Sequence, residues 1–337
     1  MRFETLLAFA LPLLADAQRT IYVDKTCSDR TDWQVYLDEA LNSAKYASAR
    51  LGNTADTDFE AVVKRIFKVD RSNADGFKAV KDVIDEIAGI TMVSPSTDLK
   101  GSNTRFFCDD DPIGKKGVDA DKDVRWQHQI NPNGGYLNYF DQVNNMKQRE
   151  ASSPSCNNPL KPNRVGRTYR IKAPEPKKPT SPFAGHNSNR NVITLCNTLF
   201  DIKGVPLKIA DLDKDLEGSA IDMLSDLVSH TILHELAHAV RDDIADVQPD
   251  PYGYTEILAK NAEDAIKNAD NFAFLAIFAQ VMELNYSIPR LTFPAGTSDA
   301  DKAEAEEDCQ KGYLTYLPDI TKRIIAAAKM LARLFWA

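Results

Sequence analysis

Residues 229–238 read SHTILHELAH, which sets His234 and His238 four positions apart, with Glu235 directly after the first histidine. Apolar residues recur around them at helical spacing, and side chains four apart on a helix lie one turn above each other on the same face. Two neutral imidazoles in that arrangement can bind one metal ion. Glu235 would lie beside the ion, where a carboxylate can act as the general base toward a bound water. The stretch therefore predicts a metal site on a long helix that begins near Ser219.

A metal site that keeps one position open for water needs three protein ligands, so another ligand must come from outside this helix. His230 is a poor candidate because a straight helix places it about 12 Å from His238, and we interpret it as a core or orienting residue. The segment that follows the helix offers carboxylates instead. The candidates are Asp246, Asp250, Glu256 and Glu263.

Composition and the N-terminal segment narrow the class of protein. The 337 residues are 43% hydrophobic and 27% charged, with a formal net charge of −8, which excludes collagen, a multi-span membrane protein and a chain disordered throughout. A pI near 5.3 argues against nucleic acid as the main partner. Residues 1–17, MRFETLLAFALPLLADA, place Arg2 before an apolar run and end in a small-x-small pattern. This pattern predicts a signal peptide and a secreted, extracellular protein.

The chain contains five cysteines, an odd number in a protein predicted to reach an oxidising compartment. They form no CxxC pair, so a cysteine-based zinc cluster is not expected. All five cannot pair within one chain, and one is expected to be free or to pair with a partner. The five are Cys27, Cys108, Cys156, Cys196 and Cys309.

Apolar periodicity predicts several amphipathic helices around a Pro-rich middle region. The helix that begins at residue 57 carries a capping-box pattern in which Thr57 and Glu60 satisfy the first turn. Nine prolines interrupt the middle region, and short runs such as residues 104–108 and, just beyond it, 192–196 have strand composition. The other predicted helices cover residues 33–51, 77–87 and 263–282, and a basic amphipathic helix over 320–337 is expected to pack onto the globular body.

Several short motifs together resemble one known family. Beyond HELAH, Tyr252-Gly253 resembles the end of the GTxDxxYG loop of the deuterolysin-like metallopeptidases, or aspzincins, which are secreted zinc endopeptidases of fungal type. Asn268-Ala269-Asp270 is similar to an NAD triplet in the family's next helix, and Leu195-Cys196 is similar to a family strand. The resemblance covers residues 192–278, and the Gly-Thr of the family's loop is absent here.

The resemblance implies a mostly helical α+β fold of the zincin type, with a small sheet beside the HExxH helix. It implies one zinc ion, held by His234, His238 and Asp246, with Asp246 preferred to Asp250 as the third ligand. Glu235 would be the general base, and Tyr252 would stabilise the oxyanion of the tetrahedral intermediate.

Two further residue assignments rest on the same resemblance. Asp270 is similar to a substrate-binding aspartate that selects lysine in some relatives, although the acidic residue found three positions later in those relatives is Ala273 here. The implied disulfides are Cys27 with Cys108 and Cys156 with Cys196, which leaves Cys309 as the odd cysteine.

The expected activity is hydrolysis of internal peptide bonds, with a preference for substrates that contain Lys or Arg. The expected partners are protein or peptide substrates, without nucleic acid or stable membrane insertion, and the chain is expected to be a monomer. Two alternatives stay open. One is a zinc peptidase whose third ligand is Glu256 or Glu263, and the other is an inert secreted binding protein on a protease-like fold.

The predicted organisation has three parts. The signal peptide is followed by a metallopeptidase domain and then by a helical extension. The predicted bounds are 1–17 for the signal, 18–290 for the domain and 291–337 for the extension, with a helical part over 18–100, a loop-rich insertion over 101–190 and the zinc-binding part over 191–290 within the domain.

Overall fold

The computed structural model describes residues 19–92, 99–109, 113–114, 124–129, 138–149, 156, 164–172, 189–201, 207–212, 220–287, 298, 312 and 314–316. The predicted signal peptide, the predicted helix over 320–337, Ser219 and Cys309 lie outside the described residues. The predictions made for them, and the domain bounds, stay predictions.

The described residues form helices and strands in alternating blocks along the chain. The α-helices are α1 (Lys25–Ser28), α2 (Trp33–Gly52), α3 (Thr57–Phe67), α4 (Ala74–Ala88), α5 (Asn197–Phe200), α6 (Val228–Val240), α7 (Tyr254–Ala259), α8 (Ala262–Ala265) and α9 (Ala269–Glu283). Stretches of 3-10 helix cover Ile209–Asp211 and Ile221–Asp226. The strands are β1 (Thr20–Val23), β2 (Thr91–Met92), β3 (Thr104–Phe107), β4 (Ile113–Gly114), β5 (Trp126–Gln129), β6 (Asn138–Asp141), β7 (Met146–Arg149), β8 (Gly166–Lys172), β9 (Asn189–Leu195), β10 (Tyr286–Ser287) and β11 (Thr315–Tyr316).

A five-stranded mixed sheet with the order β2-β1-β3-β9-β8 lies at the centre of the fold. The first four strands run parallel, and β8 lies antiparallel to β9 at the edge. Because successive side chains of a strand point to opposite faces, the sheet contributes to two apolar clusters. Phe106 and Ile193 belong to the cluster shared with the helices, whereas Phe107 and Val192 belong to the other. The expected α+β class is confirmed, with about half of the structure helical.

The helical side of the sheet holds the main core, in which α2, α4, α6 and α9 pack on one another. The predicted periodicity is confirmed in detail, because Leu37, Val80 and Ile84 are fully buried at the positions where the apolar stripe requires it. A fully buried side chain of this size contributes about 1.5–3 kcal/mol. Helix α6 is buried on almost all sides, since it lies between α2, α9 and the sheet.

The other face of the central sheet is covered by a second sheet with the order β4-β5-β6-β7. The interface between the two sheets contains Trp126 and Tyr139 from the second sheet against Tyr169 and Ile171 of β8. The prediction that residues 101–190 are loop-rich was therefore incomplete: strands near 104–108 and 192–196 were expected and correspond to β3 and β9, but β4 to β8 were not expected. Most of these strands are two to four residues long and lie between prolines. Such short strands contain too few residues to show the alternation of apolar and polar side chains that identifies a strand.

Two predicted helix boundaries and one predicted N-cap were wrong. Asp56, one residue before the predicted cap, accepts the hydrogen bond of Phe59 N at 3.0 Å and caps α3. The long helix expected from residue 219 is a 3-10 helix followed by α6, because Leu227 between them has extended backbone angles. The helix expected over 263–282 is divided into α8 and α9, since Asn268 leaves the helix to form a bridge with Ala245.

The two predicted disulfides are confirmed: Cys27 bonds to Cys108 and Cys156 bonds to Cys196. None of the helices in the described ranges is long and apolar enough to span a membrane. The predicted C-terminal extension contributes strand as well, because β11 pairs antiparallel with β10.

Removal of the Cys27–Cys108 disulfide is expected to destabilise the fold strongly. The bond joins α1 to the end of β3 across 81 positions of sequence. Closing a loop of that length lowers the conformational entropy of the unfolded chain and so destabilises the unfolded state by about 4 kcal/mol. We expect Cys27→Ala combined with Cys108→Ala to lower the free energy of unfolding in urea by about that amount. A loss under about 1 kcal/mol would show that the bond contributes little to stability.

Candidate metal centre

Helix α6 presents His234 and His238 on one face, one turn apart, as the sequence predicts. The opposite side of the helix carries Ile232, Leu233 and Leu236, which are fully buried in the main core. Both histidines are largely buried, so their orientation is fixed by their surroundings and not by solvent. The rigid helix therefore determines the separation of the two imidazoles.

Asp246 reaches the two histidines from the segment that follows α6. Its Oδ1 lies 3.1 Å from His234 Nε2 and 3.1 Å from His238 Nε2, and the two Nε2 atoms are also 3.1 Å apart. Ligand atoms at about 2.0–2.1 Å from a tetrahedral ion are about 3.3 Å from each other. The three atoms are thus spaced as ligands of one ion, and these residues could hold a metal.

The charges at this point favour a cation. Burial alone would raise the pKa of Asp246, but its hydrogen bonds to His234 and His238 outweigh burial and hold that pKa well below its usual range. Burial alone would lower the pKa of His234, but hydrogen bonds to Asp246 and Asp270 outweigh burial and raise it to about 10. A position that stabilises a proton so strongly between three donor atoms also suits a divalent ion.

The far ring nitrogens of both histidines have hydrogen-bond partners, which turns the Nε2 atoms toward Asp246. His234 Nδ1 lies 3.2 Å from Asp270 Oδ1, and His238 Nδ1 lies 3.2 Å from the carbonyl oxygen of Ile244. Partners of this kind fix the tautomer and orientation of metal-binding histidines.

Asp270 is buried behind His234, and both of its carboxylate oxygens are engaged. In addition to the contact with His234, its Oδ2 accepts a hydrogen bond of 2.9 Å from Gly253 N. These contacts indicate that Asp270 orients His234, and its predicted role in substrate binding stays a prediction. His230 lies on the other side of Asp270, with Nε2 at 3.7 Å from Oδ1. Burial lowers the pKa of His230, and His230 is not among the described residues whose ligand atoms have the spacing of a metal site.

Glu235 lies under the edge strand of the central sheet. Thr168 Oγ1 donates a hydrogen bond of 2.6 Å to Glu235 Oε2. Gly166 leaves room for the carboxylate, since a Cβ at that position would lie 2.8 Å from Glu235 Oε1. Thr168 and Gly166 were not predicted as site residues, because nothing in the sequence shows that a strand 67 residues upstream lies over the helix.

Tyr252 stands at the rim of the same site. Its ring centroid lies 5.6 Å from that of His234, and the residue is 56% exposed. Partial desolvation of its hydroxyl, the charge of Asp246 and a hydrogen bond to that carboxylate raise the pKa of Tyr252 above its ordinary value. The phenol therefore stays protonated and can donate a hydrogen bond to a bound group.

The alternative third ligands lie elsewhere in the described structure. Asp250, Glu256 and Glu263 are exposed, as Asp246 is, and Glu263 forms an ion pair of 2.8 Å with Lys267. Among the described residues, His234, His238 and Asp246 are the group with the spacing of a metal site. The geometry therefore favours Asp246 over the other three carboxylates.

One open cleft of ≈ 1100 Å³ is lined by the two candidate ligand histidines together with Glu235, Asp246 and Tyr252. The cleft runs between α6, the start of β8 and the segment from 244 to 253. A metal held here would face the cleft and not the core, so a small molecule or a chain could reach it.

Replacement of Asp246 is expected to abolish metal binding. Asp246→Asn keeps the shape of the side chain but removes the negative oxygen shared by the two histidines. We expect the Kd for zinc to rise by at least about 100-fold, measured by competition with a chromophoric chelator. The matched control is Asp250→Asn, an exposed aspartate in the same segment, which should bind zinc like the wild type. The reverse result would assign the third ligand to Asp250.

Replacement of Asp270 separates its two possible roles. If Asp270 orients His234, Asp270→Asn should weaken zinc binding by about 10- to 100-fold. A residue that serves only to bind substrate would leave the affinity for zinc unchanged. The same zinc titration, run beside cleavage assays on peptides with and without lysine, therefore decides between them.

Comparison with known proteins assigns no family. No model of a known protein family matches the chain, and no curated protein matches it. What the cleft does must therefore be inferred from the residues that line it.

Proposed function

We propose that this chain is an exported zinc-dependent endopeptidase with a zincin-like fold, similar to the deuterolysin-like peptidases. The observation that carries the proposal is the arrangement of His234, His238 and Asp246 around one point, with Glu235 beside it in an open cleft. Two disulfides support export, since such bonds persist mainly in oxidising compartments.

The donor set supports zinc as the metal. Two imidazole nitrogens and one carboxylate oxygen are ligands that zinc takes in catalytic sites, where three protein ligands leave one position open. Structural zinc sites are instead closed by four protein ligands, commonly with cysteine. The open cleft in front of the three donor atoms fits the catalytic type.

Glu235 and Tyr252 supply the proton transfer and the charge stabilisation. Bound zinc would lower the pKa of a water and polarise the carbonyl of the scissile bond. Glu235 accepts the proton of the attacking water and donates it to the leaving amine, while Thr168 holds the carboxylate in place. The Tyr252 hydroxyl donates a hydrogen bond to the oxygen on which negative charge develops.

The position of β8 supports a polypeptide as substrate. β8 is the edge strand of the described central sheet and lies beside the cleft. An extended peptide can add to such an edge through main-chain hydrogen bonds, which are independent of its sequence. A preference for Lys or Arg stays part of the proposal and is read from the cleaved peptides in the experiment below.

The test compares the wild type with Glu235→Gln. The amide keeps the size of the carboxylate but cannot accept the proton, so we expect kcat/KM to fall by about 10²- to 10⁴-fold with zinc content unchanged. Cleavage of a mixed peptide library is followed by mass spectrometry and zinc by elemental analysis. The matched control is Glu256→Gln, an exposed glutamate on α7, which should cleave like the wild type.

Each other outcome has a definite meaning. Equal cleavage by the wild type and Glu235→Gln would remove Glu235 from the mechanism. A wild type that binds zinc but cleaves no peptide would favour the inert binding protein on a protease-like fold. Cleavage confined to one end of the peptides would indicate an exopeptidase.

A further inference from the structure

Arg170 lies on β8, next to the C-terminal end of α6. Its guanidinium donates three hydrogen bonds to main-chain carbonyl oxygens that belong to one stretch of chain. Nε donates to His238 O at 2.7 Å, Nη1 to Asp242 O at 2.9 Å and Nη2 to Ile244 O at 2.5 Å. One side chain thus bonds to the start, the middle and the end of the segment from 238 to 244.

This segment connects two of the three donor residues of the metal site. His238 is its first residue, and Asp246 follows Ile244 by two positions. The carbonyl of Ile244 accepts hydrogen bonds from both Arg170 and the His238 ring. A shift of this carbonyl would therefore disturb the orientation of His238 and the approach of Asp246 together.

We propose that Arg170 is a positioning residue that keeps Asp246 in reach of the two histidines by bracing the turn between α6 and Asp246. The inference rests on the metal site of the proposed function. Arg170 reaches the turn from the sheet, and so it links the position of the third ligand to the strand that also holds Glu235 through Thr168.

Arginine is suited to this role for two physical reasons. Its planar guanidinium spreads five N–H donors over three nitrogens in fixed directions, so it can bond carbonyls that lie apart from one another, whereas the three donors of lysine share one nitrogen. Its positive charge also lies at the C-terminal end of α6, where the helix dipole is negative.

The opposite side of the turn has its own support, which the experiment must separate from that of Arg170. Ala245 N donates to Lys267 O at 2.8 Å, and Ala269 N donates to Ala245 O at 3.1 Å. These bonds tie the turn to the start of α9. If they alone fixed Asp246, loss of Arg170 would leave the metal site intact.

The test replaces Arg170 by methionine, which keeps the aliphatic length but removes every donor. Arg241→Met is the matched control, because Arg241 lies at the same end of α6 but its side chain pairs with the carboxylates of Asp243 and Glu86. We measure the Kd for zinc and the visible absorption of bound Co²⁺, which depends on the number and geometry of its ligands. Both measurements use the full chain.

Arg170→Met should bind zinc about 10- to 100-fold more weakly and show a changed Co²⁺ spectrum, while Arg241→Met matches the wild type. A general loss of stability would lower Tm but leave the Co²⁺ spectrum of the folded protein unchanged. If Arg170→Met does not fold, Arg170→Lys takes its place, and we expect weaker zinc binding and a changed spectrum because the three donors of lysine share one nitrogen, whereas Arg170 reaches the carbonyls of His238, Asp242 and Ile244 from three separate nitrogens.

Wild-type affinity and spectrum in the measured variant would overturn the role of Arg170. A wild type that binds zinc without cleaving peptides would defeat the endopeptidase and leave the Arg170 result standing. A wild type that binds neither zinc nor Co²⁺ would overturn both.

Discussion

The carboxylate of Asp246, held between two imidazoles of α6, is the interaction on which the candidate site depends. Without it the two histidines would be a pair of buried bases with no counter-charge at their Nε2 atoms. The surrounding structure keeps the three groups together: α6 is enclosed by the core, and Asp270 and Ile244 O turn the rings. The main chain of Ala245 is bound to the start of α9. Burying two imidazoles beside a carboxylate is costly unless their hydrogen-bond partners are already in place.

The edge strand β8 connects this site to the rest of the molecule. Its alternation sends Thr168 and Arg170 toward α6, and Tyr169 and Ile171 into the interface with the second sheet. The packing of the second sheet therefore supports the strand that contacts both Glu235 and the turn before Asp246. This gives the region between β3 and β9 a structural part in the site, although it contributes none of the proposed metal ligands.

The sequence predicted those features of the fold and of the site that depend on local periodicity and on one short motif. The spacing of His234 and His238 identified their helix and the face that carries the candidate site, and the apolar stripes of α2, α3 and α4 identified the core. Asp246 was preferred only by family resemblance, since its approach depends on a turn whose shape is set by Arg170 and by the chain near Asn268. The break between α8 and α9 was missed for the same reason: Asn268 follows the helical pattern locally, but a distant bridge to Ala245 takes it out of the helix.

Gly166 also limits which residues can replace it as the sequence of such a protein diverges. The main chain of β8 lies against the Glu235 carboxylate at Gly166, and a Cβ added there would come so close to Oε1 that the carboxylate would have to shift. Mutational drift elsewhere in the cleft can reshape what enters it while this contact stays in place. In a distant homologue, a bulky residue at the corresponding position would therefore indicate that Glu235 cannot lie as it does here, even where HExxH survives intact.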